Sequence, residues 1–407
     1  MKLIDESIGR MNAQLTATDR ANLARAIELA EGGRGRVSPN PLVGAVIARG
    51  GEAIGEGFHA ELGDLHAERS ALEDCRSRGE DPAGATLYVS LEPCAHHGRQ
   101  PPCTDAILEA GIARVVIGSD DPSEKAAGRG PGILRDGGVE VEVSAGAEAT
   151  AARLLNQPFR KHARTGIPLV TLKLAMSVDG ATATAPGESP WISGERSREL
   201  VHRWRAESDA IAVGIGTVLA DDPLLTARGI PDARQPLRVV FDSAARLPLD
   251  SQLIATLDQS PVLVVTGAGA DPARVEALRG AGADVRVAAG DSSADRIESA
   301  LSDLGRRDVT SLFLEGGRTL ASAFVTAGAV DQVRTFIAPI LLGGAASRAG
   351  GAREGGVEDD PAPSAPPSRV TGPARPAATG PARQTALSTD VETIGEDLLI
   401  TARFREW

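Results

Sequence analysis

Leu91-Glu92-Pro93-Cys94-Ala95-His96-His97-Gly98-Arg99-Gln100-Pro101-Pro102-Cys103 (91–103), taken with His66-Ala67-Glu68 upstream, decides how the first third of this chain is read. His66, Cys94 and Cys103 offer one imidazole and two thiols. A catalytic zinc typically takes three protein ligands and leaves a fourth position open. Residues i and i+2 inside a helix point ~200° apart, so His66 and Glu68 can serve one centre only where the chain enters a helix. Cys103 also stands at a helix start, behind Pro101-Pro102, and helix N-termini favour the thiolate. Cys94 belongs to a loop after a strand.

Working outward, Thr86–Leu91 reads as a strand, Pro102–Ala110 as a helix and Arg114–Gly118 as a strand, the alternation of a βαβ unit. Upstream, a helix is expected from a cap at Thr18, with Leu23, Ile27 and Ala30 at helical spacing. Val43–Ala48 and Glu52–Gly57 around Arg49-Gly50-Gly51 read as a hairpin, and His66–Arg76 as a helix. A helix over Gly130–Asp136 and a strand over Val139–Val143 finish this α/β layer. Residues 146–166 are expected to be a helix followed by a basic connector. They separate a first domain, 1–150, from a second, 166–407.

The second domain repeats the α/β alternation. Strands are expected near Leu169–Leu174, Ala210–Val213, Leu237–Phe241, Val262–Val265, Val285–Val287, Ser311–Leu314 and Val333–Ile337. Residues 345–385, rich in Ala, Pro, Gly and Ser, read as a low-complexity insertion without a packed core. Asp397–Phe404 is expected to return to the sheet. There is no G-x-G-x-x-G between a strand and a helix, so a standard dinucleotide-binding fold is not indicated. Gly316-Gly317 nevertheless open a helix after a strand, where bare amides can approach phosphates. Gly214, Gly216 and Thr217 form a second such turn.

The H-x-E and P-C elements resemble the zinc deaminases of nucleobases, in which the glutamate shuttles a proton and does not bind metal. Those enzymes carry P-C-x-x-C, whereas eight residues separate Cys94 from Cys103 here. The longer loop, EPC-x-H-x-GR-x-PPC, resembles instead the bifunctional deaminase–reductases of riboflavin biosynthesis. Pro39-Asn40-Pro41 and Gly57-Phe58-His59 match the same family. The resemblance implies a cytidine-deaminase-like three-layer α/β domain with Zn2+ on His66, Cys94 and Cys103 and Glu68 as the catalytic acid–base. Asn40, His59, His96 and Arg99 would line its substrate cleft.

LKLAMSVDG (172–180), ESPWISG (188–194), GIGTVLADDPLLTAR (214–228), RVVFDS (238–243), EGGRTLASAF (315–324) and APILLGG (338–344) resemble the reductase half of that family. The implied fold is dihydrofolate-reductase-like and the implied cofactor NADPH. Ala175, Trp191, Thr217, Asp221, Ser243, Gly317, Arg318, Thr319, Leu320, Ala321, Ser322 and Ala323 would contact it. Lys173, Ser189, Arg205, Leu225, Arg228 and Glu315 would face substrate, with Arg205 and Arg228 suited to a sugar phosphate. The implied chemistry is two consecutive steps on one ribosylated pyrimidine phosphate: hydrolysis of an exocyclic amine, then reduction of the ribosyl group to ribityl.

Composition narrows the alternatives. The 407 residues exceed one ordinary domain; 42 % are hydrophobic and only 3 % aromatic, which favours α/β layers built from aliphatic residues. The net charge of −12 and the lack of a basic block argue against a nucleic-acid partner. Three cysteines do not make a disulfide framework. The first ten residues are charged early and lack a signal-peptide core, and no run is long enough to span a membrane. A cytoplasmic enzyme acting on a small molecule is expected, as a homo-oligomer. Two rivals remain: a nucleic-acid base deaminase with an accessory domain, and a non-catalytic protein with a structural zinc. The first is opposed by acidity and cysteine spacing, the second by the lack of a fourth ligand and the presence of Glu68.

Overall fold

Gly50 and Gly51, both with φ in the left-handed region, turn the chain between β1 (Gly44–Arg49) and β2 (Glu52–Phe58). Alternate residues of β1 enter opposite cores. Ala45 and Ile47 pack with α2 (Ala67–Ser77), and Val46 and Ala48 pack with α1 (Ala17–Ala30). Continuing along the chain come β3 (Thr86–Val89), α3 (Cys103–Glu109), β4 (Arg114–Ile117), α4 (Arg129–Asp136) and β5 (Glu140–Val143). The five strands form one sheet in the order β2-β1-β3-β4-β5. β1 is antiparallel to both neighbours, and β3, β4 and β5 are parallel. With α1 on one face and α2, α3 and α4 on the other, the expected three layers are present. The computed structural model describes residues 15–98, 100–126, 128–182, 191–343 and 384–407.

The first helix begins earlier than its sequence suggests. Thr16, not Thr18, caps it, through a reciprocal box with Asp19. The segment read as one helix and a connector is two helices, α5 (Ala147–Leu155) and α6 (Gln157–Thr165). Its basic residues are not a solvated linker. Arg160 and Lys161 are each 1 % exposed, because both find acceptors: Arg160 the exposed carboxylate of Asp120 and the Trp407 carbonyl, Lys161 the buried carboxylate of Asp331.

Beyond α6, the second domain runs β6 (Leu169–Ser177), α7 (Glu195–Glu207), β7 (Ala210–Gly214), α8 (Ile215–Asp221), β8 (Leu237–Phe241), α9 (Gln252–Ala255) and β9 (Val262–Thr266). It continues with α10 (Pro272–Gly280), β10 (Asp284–Val287), α11 (Ser293–Arg306), β11 (Ser311–Leu314), α12 (Arg318–Thr326), β12 (Gln332–Ala338), β13 (Ser388–Ile394) and β14 (Asp397–Arg403). The sheet order is β10-β9-β8-β7-β11-β6-β12-β14-β13. β13 escapes a sequence reading because all but one of its residues are exposed, so it carries no apolar alternation. The other strands form where expected. Ile211, Val213 and Phe313 face the α7 side, around Trp204, whose ring stacks on Phe336 at 5.5 Å. Ala210, Ala212, Leu312 and Leu314 face α11 and α12. The chain winds outward from β7 to β10 and returns to place β11 between β7 and β6. Ligands of open α/β sheets bind at such a reversal, beyond the carboxyl ends of the strands.

The insertion expected at 345–385 lies almost wholly outside the described residues. Among the described residues no helix is long and apolar enough to cross a membrane.

Candidate active sites

His66 caps α2 with an extended backbone (φ −68°, ψ 157°), which lets its ring and the Glu68 side chain in the first helical turn reach the same space. Cys103 is the first residue of α3, and its amide donates to Cys94 Sγ at 3.3 Å. His66 Nδ1 lies 3.5 Å from Cys94 Sγ and 3.4 Å from Cys103 Sγ, and the three ligand atoms lie within 4.8 Å of one another. Four-coordinate zinc with bonds near 2.0 Å to nitrogen and 2.3 Å to sulfur separates such atoms by about 3.5 Å. The donor set therefore fits zinc. Among the described residues no fourth His, Cys, Asp or Glu joins the group, as a centre with one open position requires.

The chemistry of the donors agrees. The hydrogen bond from the Cys103 thiol, aided by His66 and the Cys103 amide, pulls Cys94 down to about 4 against the effect of burial. The same bond pushes Cys103 up. Left to themselves the two sulfurs hold one proton between them, and a divalent cation is what lets both be thiolates. Glu68 is 3 % exposed, and burial, with Cys94 adding to it, raises its carboxyl above the usual range. Burial that disfavours the charged form makes the carboxyl a better proton carrier, which a shuttle requires.

Two sequence-predicted neighbours, His59 and Asn40, stand beside this centre. The His59 ring lies edge-on to His66, with centroids 5.5 Å apart. His59 Nδ1 is 3.0 Å from the Leu65 carbonyl, which can only accept, so Nδ1 carries the proton. Nε2 then accepts from Asn40 Nδ2 at 3.1 Å, which fixes the direction of the Asn40 amide. His96 has a buried Nδ1 without a hydrogen-bond partner among the described residues, while His97 is exposed. Arg99 lies outside the described residues.

Two supports were missed. Glu92 accepts from the amides of Gly128 and Gly130, both at 3.3 Å, pinning the start of α4 under the Cys94 loop. Arg69 donates to the Pro102 carbonyl at 3.0 Å, bracing the start of α3 against α2. Both are charged side chains acting on backbone groups distant in sequence, so neither leaves a spacing signal.

The second site is a cavity of about 2280 Å³ outside the carboxyl ends of β7, β8 and β11. Every described residue expected to touch cofactor or substrate lines it: Lys173, Ala175, Trp191, Arg205, Thr217, Asp221, Leu225, Arg228, Ser243, Glu315 and Gly317 through Ala323. Ser189 lies outside the described residues. Gly317 caps α12, and its amide donates to Thr217 Oγ1 at 3.2 Å, joining the two glycine turns at one wall. Leu225 holds φ +54° while almost fully buried, a strained backbone at the site itself.

Arg205 is not an open phosphate fork. Its Nε and Nη2 donate to Glu315 at 2.6 and 3.0 Å, and its Nη1 to the Thr226 carbonyl at 3.2 Å. Burial would raise Glu315, yet Arg205 and, beyond it, Lys173 hold its carboxyl below the usual range. Arg228 is differently placed: among the described residues its guanidinium makes one hydrogen bond, Nη1 to Thr226 Oγ1 at 3.3 Å. Arg246 and Arg296 also line the cavity and went unread, since single arginines outside a motif carry no signal.

Comparison with known proteins follows this division. Residues 16–119 match the cytidine and deoxycytidylate deaminase zinc-binding region, and residues 168–354 match the RibD C-terminal domain. The riboflavin biosynthesis protein RibD of Actinobacillus pleuropneumoniae is 44 % identical over 333 residues, 82 % of this chain and 87 % of that protein. RibD of Escherichia coli K12 is 41 % identical over 339 residues, 80 % of this chain and 89 % of that protein. Among solved structures, Acinetobacter baumannii RibD superposes with a TM-score of 0.76 at 34 % identity, covering 96 % of this chain and 99 % of that one. The Thermotoga maritima diaminohydroxyphosphoribosylaminopyrimidine deaminase/5-amino-6-(5-phosphoribosylamino)uracil reductase gives 0.75 at 34 % identity, covering 95 % and 99 %. Matched over both domains and across both sites, this chain belongs to the RibD family of riboflavin biosynthesis proteins.

Proposed function

We propose that the chain carries out two consecutive steps of riboflavin biosynthesis, one in each domain. The first is hydrolytic deamination of 2,5-diamino-6-(ribosylamino)-4(3H)-pyrimidinone 5′-phosphate, which replaces the exocyclic C–NH2 by C=O with water consumed and ammonia released. The second reduces the ribosyl group of that product to ribityl. The observation that carries the reading is the buried Glu68 in the first turn of a helix capped by His66, beside paired Cys94 and Cys103.

Zinc, when bound by His66, Cys94 and Cys103, supplies the Lewis acidity that activates water. Glu68 takes a proton on its carboxylate and delivers it to the leaving amine. The fixed amide of Asn40 and the His59 ring behind it orient the pyrimidine. In the second domain NADPH, when bound, supplies the hydride. The Gly214–Thr217 turn and the first turn of α12, Arg318 to Leu320, would hold its phosphates on backbone amides. Arg228 grips the substrate phosphate, and the Arg205–Glu315 pair, with Lys173, orders the sugar.

Acidic balance supports a small-molecule substrate rather than a nucleic acid. Self-assembly is supported by Leu387, Val391 and Leu398, exposed on the edge hairpin of β13 and β14, and light scattering tests it. The two-site reading is tested by assaying the half-reactions separately. Glu68→Gln should lower ammonia release by ~10²–10⁴-fold while hydride transfer to supplied deaminated substrate stays near normal. Asp221→Ala should do the reverse. A folded, zinc-replete variant that lost both half-reactions would replace two sites by one.

A further inference from the structure

The segment that carries Asn40 is Ser38-Pro39-Asn40-Pro41-Leu42. Two prolines deprive it of amide donors, so it cannot be tied into the sheet by its own backbone. It is pinned from outside at both ends. At Leu42, Asn156 accepts from the amide and donates to the carbonyl, each at 2.8 Å and fully buried. At Ser38 the partner belongs to the other domain. Ser38 Oγ donates to Asp209 Oδ2 at 2.8 Å and lies 3.2 Å from Thr310 Oγ1.

Asp209, at the entrance to β7, is 4 % exposed. Its Oδ2 also accepts from the Thr310 amide at 2.8 Å and from Thr310 Oγ1 at 2.7 Å. Arg234 bridges the same junction, with Nη2 on Asp209 Oδ1 at 2.9 Å and Nη1 on the Ser38 carbonyl at 3.4 Å. The contact is close: a Cβ on Gly35 would stand 2.8 Å from the Ala206 carbonyl, at the end of α7. The loop is thus seated on the reductase domain, and Asn40 reaches His59 from that seat.

We propose that Asp209 and Ser38 form a latch by which the reductase domain positions the Asn40 loop for deamination, making both of them positioning residues of that reaction, Asp209 from the other domain. Because Asp209 is held by the start of β11 whatever Ser38 does, it is a fixed acceptor. The loop's freedom is what Ser38 removes. Losing the latch should loosen substrate binding without touching the metal, Glu68 or the proton transfer. This inference rests on the reading of Asn40 as a substrate contact.

The test uses the full-length, zinc-loaded protein with Ser38→Ala, Ser38→Thr and Asn40→Ala. For each, KM and kcat of ammonia release, zinc content and NADPH oxidation on deaminated substrate are measured. Ser38→Ala should raise the deamination KM about ten- to a hundredfold, the scale of one hydrogen bond lost to a charged acceptor. Its kcat, zinc content and reductase rate should stay as in the parent, and Ser38→Thr, which keeps the hydroxyl, should restore KM. An unchanged KM in Ser38→Ala, with deamination crippled in Asn40→Ala, overturns the latch alone. Undiminished deamination in Asn40→Ala overturns the substrate reading of Asn40 and the latch with it. Loss of zinc or of both activities in Ser38→Ala makes the contact purely structural and also overturns the proposal.

Discussion

Lys161 Nζ lies 2.6 Å from Asp331 Oδ2, and each side chain is only 1 % exposed. The pair joins α6, between the two domains, to the start of β12. Asp331 is further held by the Val170 amide at 2.8 Å and by Trp407 Nε1 at 3.1 Å. Arg160, beside Lys161, donates to the Trp407 carbonyl at 2.6 Å and to Asp120 Oδ1 at 3.0 Å. One helix thereby fastens the end of the second sheet to a loop of the first domain.

Removing one member of a buried pair strands the other's charge, which typically costs about 3–5 kcal/mol. Asp331→Ala should fall at the upper end, because it orphans Lys161, the Val170 amide and the Trp407 indole together. Lys161→Met should cost less, since Asp331 keeps both other donors. Urea unfolding midpoints of the reductase transition check the order. Equal losses would show that Lys161 is the sole partner that matters.

Cys103→Ser should strip most of the zinc, because a hard hydroxyl replaces a soft thiolate. Metal analysis of the purified variant reads this directly. Full occupancy would take Cys103 out of the site.

Gly57 lets α2 lie against β2. A Cβ there would stand 2.3 Å from the Ala71 amide nitrogen and 2.8 Å from the Ala67 carbonyl. Both are backbone atoms of the helix that carries His66 and Glu68, so Gly57→Ala must move the helix rather than a side chain. Zinc affinity should drop on the order of 10-fold or more, as for loss of an orienting contact around a metal, together with a lowered Tm. Competition with a chelator measures the first and a thermal melt the second. A lowered Tm with unchanged zinc affinity would mean the helix tilts about its capped end.

Asp19 predicts a pH dependence. Its Oδ1 accepts from Tyr88 Oη at 2.8 Å and from Arg114 Nη1 at 2.7 Å, and its Oδ2 from Thr16. Burial opposes ionisation, but Arg114, Thr16 and Tyr88 together hold the carboxyl well below the usual range. A lowered folded value means stabilisation that is complete above the unfolded value, near ~4, and is lost as pH falls below it. Tyr88 is pushed up to about 12 by burial and by Asp19. Its contribution is complete below ~10, the unfolded value, and is lost as pH rises from there. The stability gap between parent and Asp19→Asn should therefore close in acid, and that between parent and Tyr88→Phe in alkali. Denaturation midpoints across pH check both limbs.

Much of this was legible in the chain itself. Short continuous apolar runs in β1 and β7 to β9 located strands, and H-x-E with the spaced cysteines located the candidate metal centre, because ligand chemistry tolerates few residue types. The cavity residues of the second domain were named through motif resemblance. What stayed hidden has a common character. The β13 strand is exposed and lacks a pattern, and α6 looked solvated because its partners, Asp120 and Asp331, lie 40 and 170 residues away.

The sequence by itself determined the layers of each domain and the atoms able to bind zinc, since local periodicity and donor chemistry are properties of neighbouring residues. Only the tertiary structure decided that Arg205 is committed to Glu315, that basic residues of α6 are buried, and that Ser38 leans on Asp209 across the domain boundary. Each of these is a polar group satisfied by a partner far along the chain. Burial makes such pairing obligatory, but it leaves the choice of partner to packing.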